Sequence, residues 1–361
     1  MLAALIVCTT HWRSMFFPGF NLLHSNRIPL LPFYLVTVGG HQAVIVFFVL
    51  SGLLVGQVVL RDVENGTWSW KNYLTHRMVR LWLVLLPALL LGLFWDRLGL
   101  AMQHAYPWYS GNYLRLMYPP DLIVRHLSLS TFLANCAFLQ KIIRPEFGTN
   151  SPLWSLSNEF WYYILFPCCV LALHRKTRPV ARVAYGLAAV AIAIFVGHVI
   201  ASYFLVWLGG VVLLKLPLHQ FGRMQRLAAT VVYFAMFTAC APLSKQFGGP
   251  ADALLAILTV AYVWMLYGTR EQAKETHASV LARQGARFSY TLYLVHFPLL
   301  YFIAGFFIHQ TQLVPNVRNL TSAFLVLLPT LIYAWLVAMA TEFNLIPVRD
   351  WVKTRLDHIP T

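Results

Sequence analysis

A carboxylate lies inside a segment that is long and apolar enough to enter a lipid bilayer. Glu159 sits in the stretch NSPLWSLSNEFWYYILFP, residues 150–167. An ionisable side chain at membrane depth costs roughly 2.5–3.5 kcal/mol on insertion scales, so it is retained where it faces a partner, a water-filled cavity or a ligand. Ser155 and Tyr163 lie one helical turn on either side of Glu159, which places the three side chains in one polar stripe. The pattern indicates a functional site around this carboxylate.

Two histidines extend the candidate site. His11 follows the apolar run LAALIVCTT, so it belongs to the first span rather than to a loop. A neutral imidazole can remove a proton from a hydroxyl nucleophile, although a helix–helix hydrogen bond explains His11 more economically when it is considered alone. His296, in FSYTLYLVHFPLL, shares a second stripe with Ser289 and Tyr293. The two stripes start from opposite faces and reach a similar depth, so with His11 they predict a polar cavity.

A pair of arginines marks the predicted cytoplasmic end of the third span. Arg77 and Arg80, in WSWKNYLTHRMVRLW, share one face of a helix because they are separated by about one turn. Forked guanidinium groups bind phosphates well, and coenzyme A carries several phosphates. A topological anchor or contact with anionic lipid would explain either arginine equally simply. The pair is therefore a candidate donor-binding feature.

Other polar and sulfur-containing residues favour packing over chemistry. Ser51 and Gly52 lie in the middle of the second span, where a small residue lets helices approach closely and a serine can bond to the preceding turn. No GxSxG elbow surrounds Ser51, which argues against a serine nucleophile. The five cysteines form no CxxC pair and lie mostly in apolar runs, so we expect neither a disulfide nor a metal site.

The composition identifies the elements that must position these residues. The chain is 59% hydrophobic and only 11% charged, whereas soluble domains carry about 25% charged residues. Spans of about 20 apolar residues are needed to cross a bilayer. The sequence predicts an all-α, polytopic integral membrane protein with about ten transmembrane helices, near 1–17, 42–60, 81–97, 152–173, 183–200, 201–217, 227–243, 251–268, 288–308 and 321–342.

The basic residues set the expected orientation. The net charge of +15 could suggest nucleic acid, but Lys and Arg occupy short loops between apolar segments rather than one patch. With both termini in the cytoplasm, the inner loops hold about twice as many Lys and Arg residues as the outer segments, as the positive-inside rule requires. The outer loops 18–42 and 98–150 are long enough to be functional, although they could equally be connections. We expect one membrane domain spanning 1–361.

Taken in order, these segments resemble the membrane-bound acyltransferase 3 family. The matching pieces are LAALIVCTTH, FFVLSGLL, HRMVRLWLVLLP, SPLWSLSNEFWYYILFP, FSYTLYLVHFPLL and TEFNLIPVRDW. By this resemblance His11 aligns with the essential histidine of the family, Arg77 and Arg80 with its arginine pair near the donor site, and Glu159 and His296 with positions in its fourth and ninth spans. Members usually carry an arginine several turns before the first histidine. That position would precede Met1, so we expect the natural start to lie upstream.

The resemblance implies an O-acyltransferase of a bacterial inner membrane. Acyl-coenzyme A, expected to be acetyl-coenzyme A, is the implied donor substrate, with no metal. The implied acceptor is a hydroxyl of a cell-surface or lipid-linked carbohydrate, and membrane lipid is the other implied partner. The esterase-like domain that some relatives append is not seen in the sequence, so the group is expected to pass directly to its acceptor or to a lipid-linked sugar. Assembly into a homo-oligomer stays open.

Two other classes of function remain as alternatives. A transporter or flippase could use buried Glu and His residues as a proton relay. The arginine pair, and the lack of Gly- or Pro-broken helices repeated in two halves, argue against that class. The third hypothesis is that the protein is a partner subunit without catalytic activity. Glu159 would then affect assembly only.

Overall fold

The protein is all-α in the part of the chain that the computed structural model describes, which comprises residues 1–23, 27–102, 107–110, 118–267, 285–308 and 311–357. The predicted inner-loop residues Arg270, Lys274 and Arg283 and the predicted outer-loop residue Arg115 lie outside these ranges. Within them, eight helices are long and apolar enough to cross a membrane. The prediction of an all-α, polytopic membrane protein is therefore confirmed.

The described part of the chain is a series of helices, with one isolated β-bridge between Gln140 and Arg144. The α-helices are α1 (Leu2–Phe16), α2 (Leu31–Val36), α3 (Gly40–Glu64), α4 (Trp70–Ala101), α5 (Pro107–Ser110), α6 (Pro120–His126), α7 (Leu129–Cys136), α8 (Trp154–Leu173), α9 (Pro179–Val212), α10 (Arg223–Phe247), α11 (Gly249–Tyr267), α12 (Ser289–Phe307), α13 (Val317–Ala340) and α14 (Leu345–Asp357). Short 3₁₀ helices cover Phe20–Leu22, Ile28–Leu30, Ser151–Leu153, Leu213–Lys215 and Glu342–Asn344.

The number of spans differs from the predicted ten for two local reasons. Helix α1 has 15 residues, which is shorter than the roughly 20 needed to cross the hydrocarbon core. The predicted spans 183–200 and 201–217 form one element, α9, which is kinked at Gly197. Gly197 has φ 79° and ψ 166°, a conformation that glycine adopts without the steric cost of a side chain. An unbroken apolar run therefore hides a bend that its hydropathy does not reveal.

The chain divides into two compact units. The first unit comprises the described parts of Met1–Gly40, Lys71–Trp154 and His277–Thr361, and the second comprises those of His41–Trp70 and Ser155–Thr276. In the first unit, α12 packs against both α1 and α13. The indole Nε1 of Trp12 in α1 donates to the carbonyl oxygen of Ala323 in α13 at 2.8 Å, and Trp12 is fully buried. This contact fixes the rotation of α1 and hence the direction of its other side chains.

The second unit is built from α3, α8, α9, α10 and α11. Helices α3 and α9 cross so closely that a methyl group on Gly52 would lie 1.9 Å from the carbonyl oxygen of Trp207. A methyl group on Gly210 would likewise lie 1.8 Å from the carbonyl oxygen of Val49. Small residues permit such crossings because backbones can then touch. The packing role predicted for Gly52 agrees with this geometry.

Candidate active site

His11 and His296 are in direct contact in the first unit. Their nitrogens Nδ1 and Nε2, respectively, lie 2.9 Å apart, and the rings are stacked with an interplanar angle of 11°. Phe297 packs edge-on against the His11 ring. His296 is fully buried, whereas His11 is partly exposed. The pair thus connects a fully buried imidazole to one that is partly exposed.

The partners of the two rings determine where their protons lie. His296 Nδ1 is 2.8 Å from the carbonyl oxygen of Leu292, which can only accept, so this nitrogen carries the proton. In a neutral imidazole the other nitrogen is then the acceptor, so His296 Nε2 accepts the Nδ1–H of His11. The same rule assigns the remaining lone pair of His11 to its Nε2. These hydrogen bonds form a chain from the carbonyl oxygen of Leu292 through His296 to His11, which we call the His11–His296 relay. The relay ends in a proton-accepting nitrogen, Nε2 of His11.

A proline explains how helix α12 is attached to the preceding loop. Pro298 has no N–H, so the carbonyl oxygen of Leu294 loses its usual helical donor. The side-chain amide of Asn150 donates to this oxygen instead, at 2.8 Å, and Asn150 is only 1% exposed. The hydroxyl of Tyr293 adds a second link by donating to the carbonyl oxygen of Pro152 at 2.9 Å. The turn of α12 that carries His296 is thereby held at two points.

The end of α1 is fixed by a separate set of hydrogen bonds. The side-chain amide of Gln312 donates to the carbonyl oxygens of Ser14 and Met15, and the backbone N–H of Leu313 donates to that of Phe16. These carbonyls have no donors within their own helix because they lie in its last turn. The end of α1 at Phe16, in the turn that follows His11, is consequently held in a defined position.

Glu159 belongs to the second unit and is surrounded by donors. It is 7% exposed, and its Oε1 accepts hydrogen bonds from the hydroxyl of Tyr163, one turn along α8, and from Ser51 Oγ at 3.5 Å. Ser51 Oγ in turn accepts the indole N–H of Trp207 at 3.2 Å. The stripe predicted from the spacing of Glu159 and Tyr163 is thus observed. Its carboxylate is held by neighbours from α3 and α8.

Asn158, beside Glu159, has a structural explanation. Its amide donates to the hydroxyl of Tyr162 at 3.2 Å, and that hydroxyl donates to the carbonyl oxygen of Ile200 at 2.6 Å. Ile200 lies three residues after Gly197, where α9 is kinked. Asn158 and Tyr162 therefore link α8 to α9 beside the bend.

The two arginines occupy different surroundings on α4. Arg77 is half-buried, with its guanidinium carbon 5.6 Å from the centre of the Tyr73 ring, whereas Arg80 is exposed. Arg80 lies within electrostatic range of Glu342, whose carboxylate accepts two hydrogen bonds from Thr291. Both arginines belong to the first unit, as does the histidine pair.

The sequence arguments missed a buried carboxylate in α4. Asp96 is fully buried, and its two oxygens accept from the backbone N–H and the hydroxyl of Thr149, each at 2.8 Å. Gly148 has φ +59°, and a side chain there would collide with Asp96 Oδ2. Asp96 thus fixes the loop just before Asn150. The rule that drew attention to Glu159, a carboxylate within an apolar helix, would have identified Asp96 in LFWDRLGL as well.

A second missed carboxylate lies in the other unit. Asp252 is 2% exposed and accepts hydrogen bonds from His41 Nε2 at 2.8 Å, from the Tyr203 hydroxyl at 2.7 Å and from Ser244 Oγ at 2.8 Å. These partners come from α3, α9 and α10, so the cluster joins the helices of the second unit. Its donors satisfy both carboxylate oxygens, as buried charges require.

Of the predicted site residues, His11 and His296 touch, Arg77 and Arg80 share one helix, and Glu159 forms its own cluster in the second unit. Among the residues that the structure describes, no three His, Cys, Asp or Glu side chains are grouped closely enough to hold a metal ion. The arrangement in the first unit can accept a proton at His11 Nε2 and offers cations for a negatively charged ligand.

Comparison with known proteins supplies the family. Residues 1–339 match the family model of the acyltransferase domain known as acyltransferase 3. Neither the curated proteins nor the solved structures give a match. The family match covers nearly the whole chain and includes every candidate site residue named above. This multi-pass membrane protein therefore belongs to the acyltransferase 3 family.

Proposed function

We propose that this protein is an O-acyltransferase of a bacterial inner membrane that moves an acetyl group from acetyl-coenzyme A to a hydroxyl of a cell-surface or lipid-linked carbohydrate. The single observation that carries the proposal is the His11–His296 relay, because it leaves a proton-accepting nitrogen on a partly exposed histidine. The family match supports the transferase class, and the resemblance of the individual motifs supports this donor and acceptor.

The reaction is written as one acyl transfer. The acceptor hydroxyl oxygen attacks the thioester carbonyl carbon, forming a carbon–oxygen bond, and the carbon–sulfur bond breaks. His11 Nε2 takes the hydroxyl proton and returns it to the leaving thiolate, so charge and atoms balance. General-base assistance of this kind contributes about 10²–10⁴ in rate. His296 acts through His11 by holding its Nδ1–H, and is a positioning residue.

The remaining predicted residues take supporting roles. Arg77 and Arg80 bind the donor phosphates from the cytoplasmic side, which is consistent with their position near one end of α4. Glu159 orients its surroundings or holds the acceptor, since its carboxylate already accepts hydrogen bonds from Tyr163 and Ser51. The proposal also includes one transmembrane domain over 1–361, with both termini in the cytoplasm.

The test compares surface glycans by mass between a deletion strain and strains complemented with wild-type protein, His11→Ala or His198→Ala. Wild type restores one acetyl increment per substituted hydroxyl, and His11→Ala does not, because transfer falls about 10²–10⁴-fold without the base. His198, an exposed histidine on α9, is the matched control and should behave as wild type. Full acetylation by a folded His11→Ala protein, present in membranes at the wild-type level, would refute the proposal.

A further inference from the structure

The last turn of α1 carries an arginine two residues after His11. The guanidinium carbon of Arg13 lies 5.5 Å from the centre of the Tyr34 ring. The hydroxyl of Tyr34 donates to the carbonyl oxygen of Pro18 at 2.7 Å, so this ring is fixed to the segment that follows α1. Arg13 is partly exposed, and its Nε is buried without a hydrogen-bond partner in the described part of the chain. The guanidinium thus rests on an aromatic ring with a donor that no described residue uses.

Other residues already perform the usual task of a cation at this position. Cationic side chains are favoured in the last turn of a helix because its carbonyl oxygens lack helical donors. The side-chain amide of Gln312 donates to the carbonyl oxygens of Ser14 and Met15. The backbone N–H of Leu313 donates to the next carbonyl oxygen. These carbonyls are satisfied without Arg13, so closing the helix end does not explain its guanidinium.

In the described part of the chain, no carboxylate pairs with this charge. Residues 1–40, which contain α1 and the segment that follows it, include no Asp or Glu. Neither Arg13 nor Arg27 forms an ion pair with a described carboxylate. The guanidinium carbon of Arg27 lies 5.9 Å from the centre of the Phe20 ring, which packs against Tyr34 with ring centres 5.3 Å apart. This part of the first unit therefore presents two arginines on adjoining aromatic rings.

A partly buried cation that lacks a paired carboxylate favours the binding of an anion. Contact with an aromatic face offsets part of the cost of removing a guanidinium from water, and an opposite charge offsets more. Arginine presents its N–H donors in a planar fork that matches the oxygens of a phosphate. With both termini in the cytoplasm, as proposed above, the end of α1 lies at the outer face. A lipid-linked carbohydrate brings an anion to that face, because a phosphate or diphosphate joins the sugar to its lipid.

We propose that Arg13 binds the phosphate that joins a lipid-linked carbohydrate acceptor to its lipid. Arg27 adds positive charge on the adjoining ring and attracts the phosphate at longer range. Arg13 and His11 belong to the same turn of α1, so the phosphate site and the proposed base lie on one helix. This inference rests on the proposed function and narrows its acceptor to the lipid-linked class.

Equilibrium binding tests the site without any acyl transfer. The probes are farnesyl diphosphate, a short lipid diphosphate, and farnesol, which lacks the phosphates. Calorimetry compares the detergent-purified full chain with Arg13→Gln and with the matched control Arg318→Gln, which alters an exposed arginine at the start of α13. The Kd for farnesyl diphosphate should rise about tenfold in Arg13→Gln because charge-assisted hydrogen bonds are lost. Arg318→Gln should match wild type, and farnesol should not distinguish the three proteins. Equal Kd values for farnesyl diphosphate in wild type and Arg13→Gln would overturn the inference.

A second measurement uses only the wild-type protein, so it does not depend on the folding of a variant. Phenylglyoxal modifies accessible arginines, and peptide mass spectrometry measures the extent at each position. Farnesyl diphosphate should slow the modification of Arg13 and leave that of Arg318 unchanged. Unchanged modification of Arg13 would overturn the inference. Protection by phosphatidylglycerol as strong as that by farnesyl diphosphate would also overturn it, because the site would then recognise the headgroups of bulk lipid.

Transfer assays separate this inference from the proposed function. In phosphatidylcholine nanodiscs, the KM for a saccharide linked to lipid diphosphate should rise about tenfold in Arg13→Gln, with kcat little changed. The KM for the same saccharide without lipid should stay at the wild-type value. Equal increases of KM for both acceptors would contradict a phosphate site. Absence of transfer by wild type itself, with binding of farnesyl diphosphate intact, would count against the proposed function alone.

Discussion

The His11–His296 pair and the Glu159 cluster are both polar sites inside apolar helices, but their hydrogen bonds are organised differently. In the pair, each ring donates through its Nδ1, to His296 Nε2 in one case and to the carbonyl oxygen of Leu292 in the other. Nε2 of His11 is therefore left as an acceptor. In the cluster, the carboxylate oxygen of Glu159 already accepts from Tyr163 and Ser51. Burial alone therefore does not distinguish the two sites. The direction of the hydrogen bonds does.

This difference predicts that the two sites respond differently to conservative substitutions. A group that acts by accepting a proton cannot be replaced by an amide, because amides are not bases at neutral pH. A group that acts by accepting hydrogen bonds can be replaced by an amide, because the amide oxygen still accepts. His296 should fall in the second category, since its proposed role is to accept one hydrogen bond from His11.

The largest effect among these variants is expected at His296. His296→Leu should lower kcat about 10–100-fold, as loss of an orienting partner typically does, with little change in KM. His296→Gln should recover most of this loss because its amide oxygen can accept the Nδ1–H of His11. Steady-state kinetics with purified protein, and gel filtration to verify folding, measure both effects. Equal activity of the Leu and Gln variants would show that His296 does not act by accepting a hydrogen bond from His11.

A smaller effect is expected at Glu159. Glu159→Gln keeps an oxygen that accepts from Tyr163 and Ser51, so the transfer rate should fall by less than about tenfold. Glu159→Leu removes the acceptor from two buried hydroxyl groups and should lower the free energy of unfolding by about 1–3 kcal/mol. Initial rates and thermal unfolding in detergent would be compared for the two variants. If Glu159→Gln were as inactive as His11→Ala, the charge of the carboxylate would be required for transfer. Glu159 would then not act merely by accepting hydrogen bonds.

The smallest effect concerns the link between Asn150 and helix α12. Asn150→Ala should lower stability by about 1 kcal/mol because the carbonyl oxygen of Leu294 loses its donor. Pro298→Ala restores a backbone N–H that can donate to the same oxygen. The loss caused by Asn150→Ala should therefore shrink in the Pro298→Ala background, which a double-mutant cycle of unfolding measures. Strict additivity would show that the proline and the amide do not share this carbonyl.

The sequence was sufficient for most of the long helices and for the buried carboxylate Glu159. It was insufficient for the partners of the site residues. Hydropathy located the long helices, and the cost of charge in lipid drew attention to Glu159. The contact between His11 and His296 could be anticipated only as a shared cavity, because the 2.9 Å distance depends on how α1 and α12 cross. A proline at position 298 implies that the carbonyl oxygen of Leu294 lacks a helical donor. Nothing in the spacing identifies Asn150 as the donor that replaces it.

Local backbone geometry accounts for the difference in the number of helices. Gly197 bends α9 inside an apolar run, so two predicted spans became one kinked element. Hydropathy averages over a window and is insensitive to one residue with positive φ. Asp96 is a different case from Gly197, because the argument applied to Glu159 would have identified this carboxylate from the sequence. Its hydrogen-bond partner Thr149 lies far along the chain, so the contact between them is known only from the tertiary structure.

The most direct test of the relay is the protonation state of His11. Nitrogen-15 magnetic resonance of histidine-labelled protein in lipid bilayers, assigned by comparison with His11→Ala, reports which ring nitrogen carries the proton. The structure predicts a neutral ring at neutral pH, with the proton on Nδ1 and an unprotonated Nε2. A proton on Nε2 of His11, or a doubly protonated ring, would contradict the account because no lone pair would then be available to accept the hydroxyl proton.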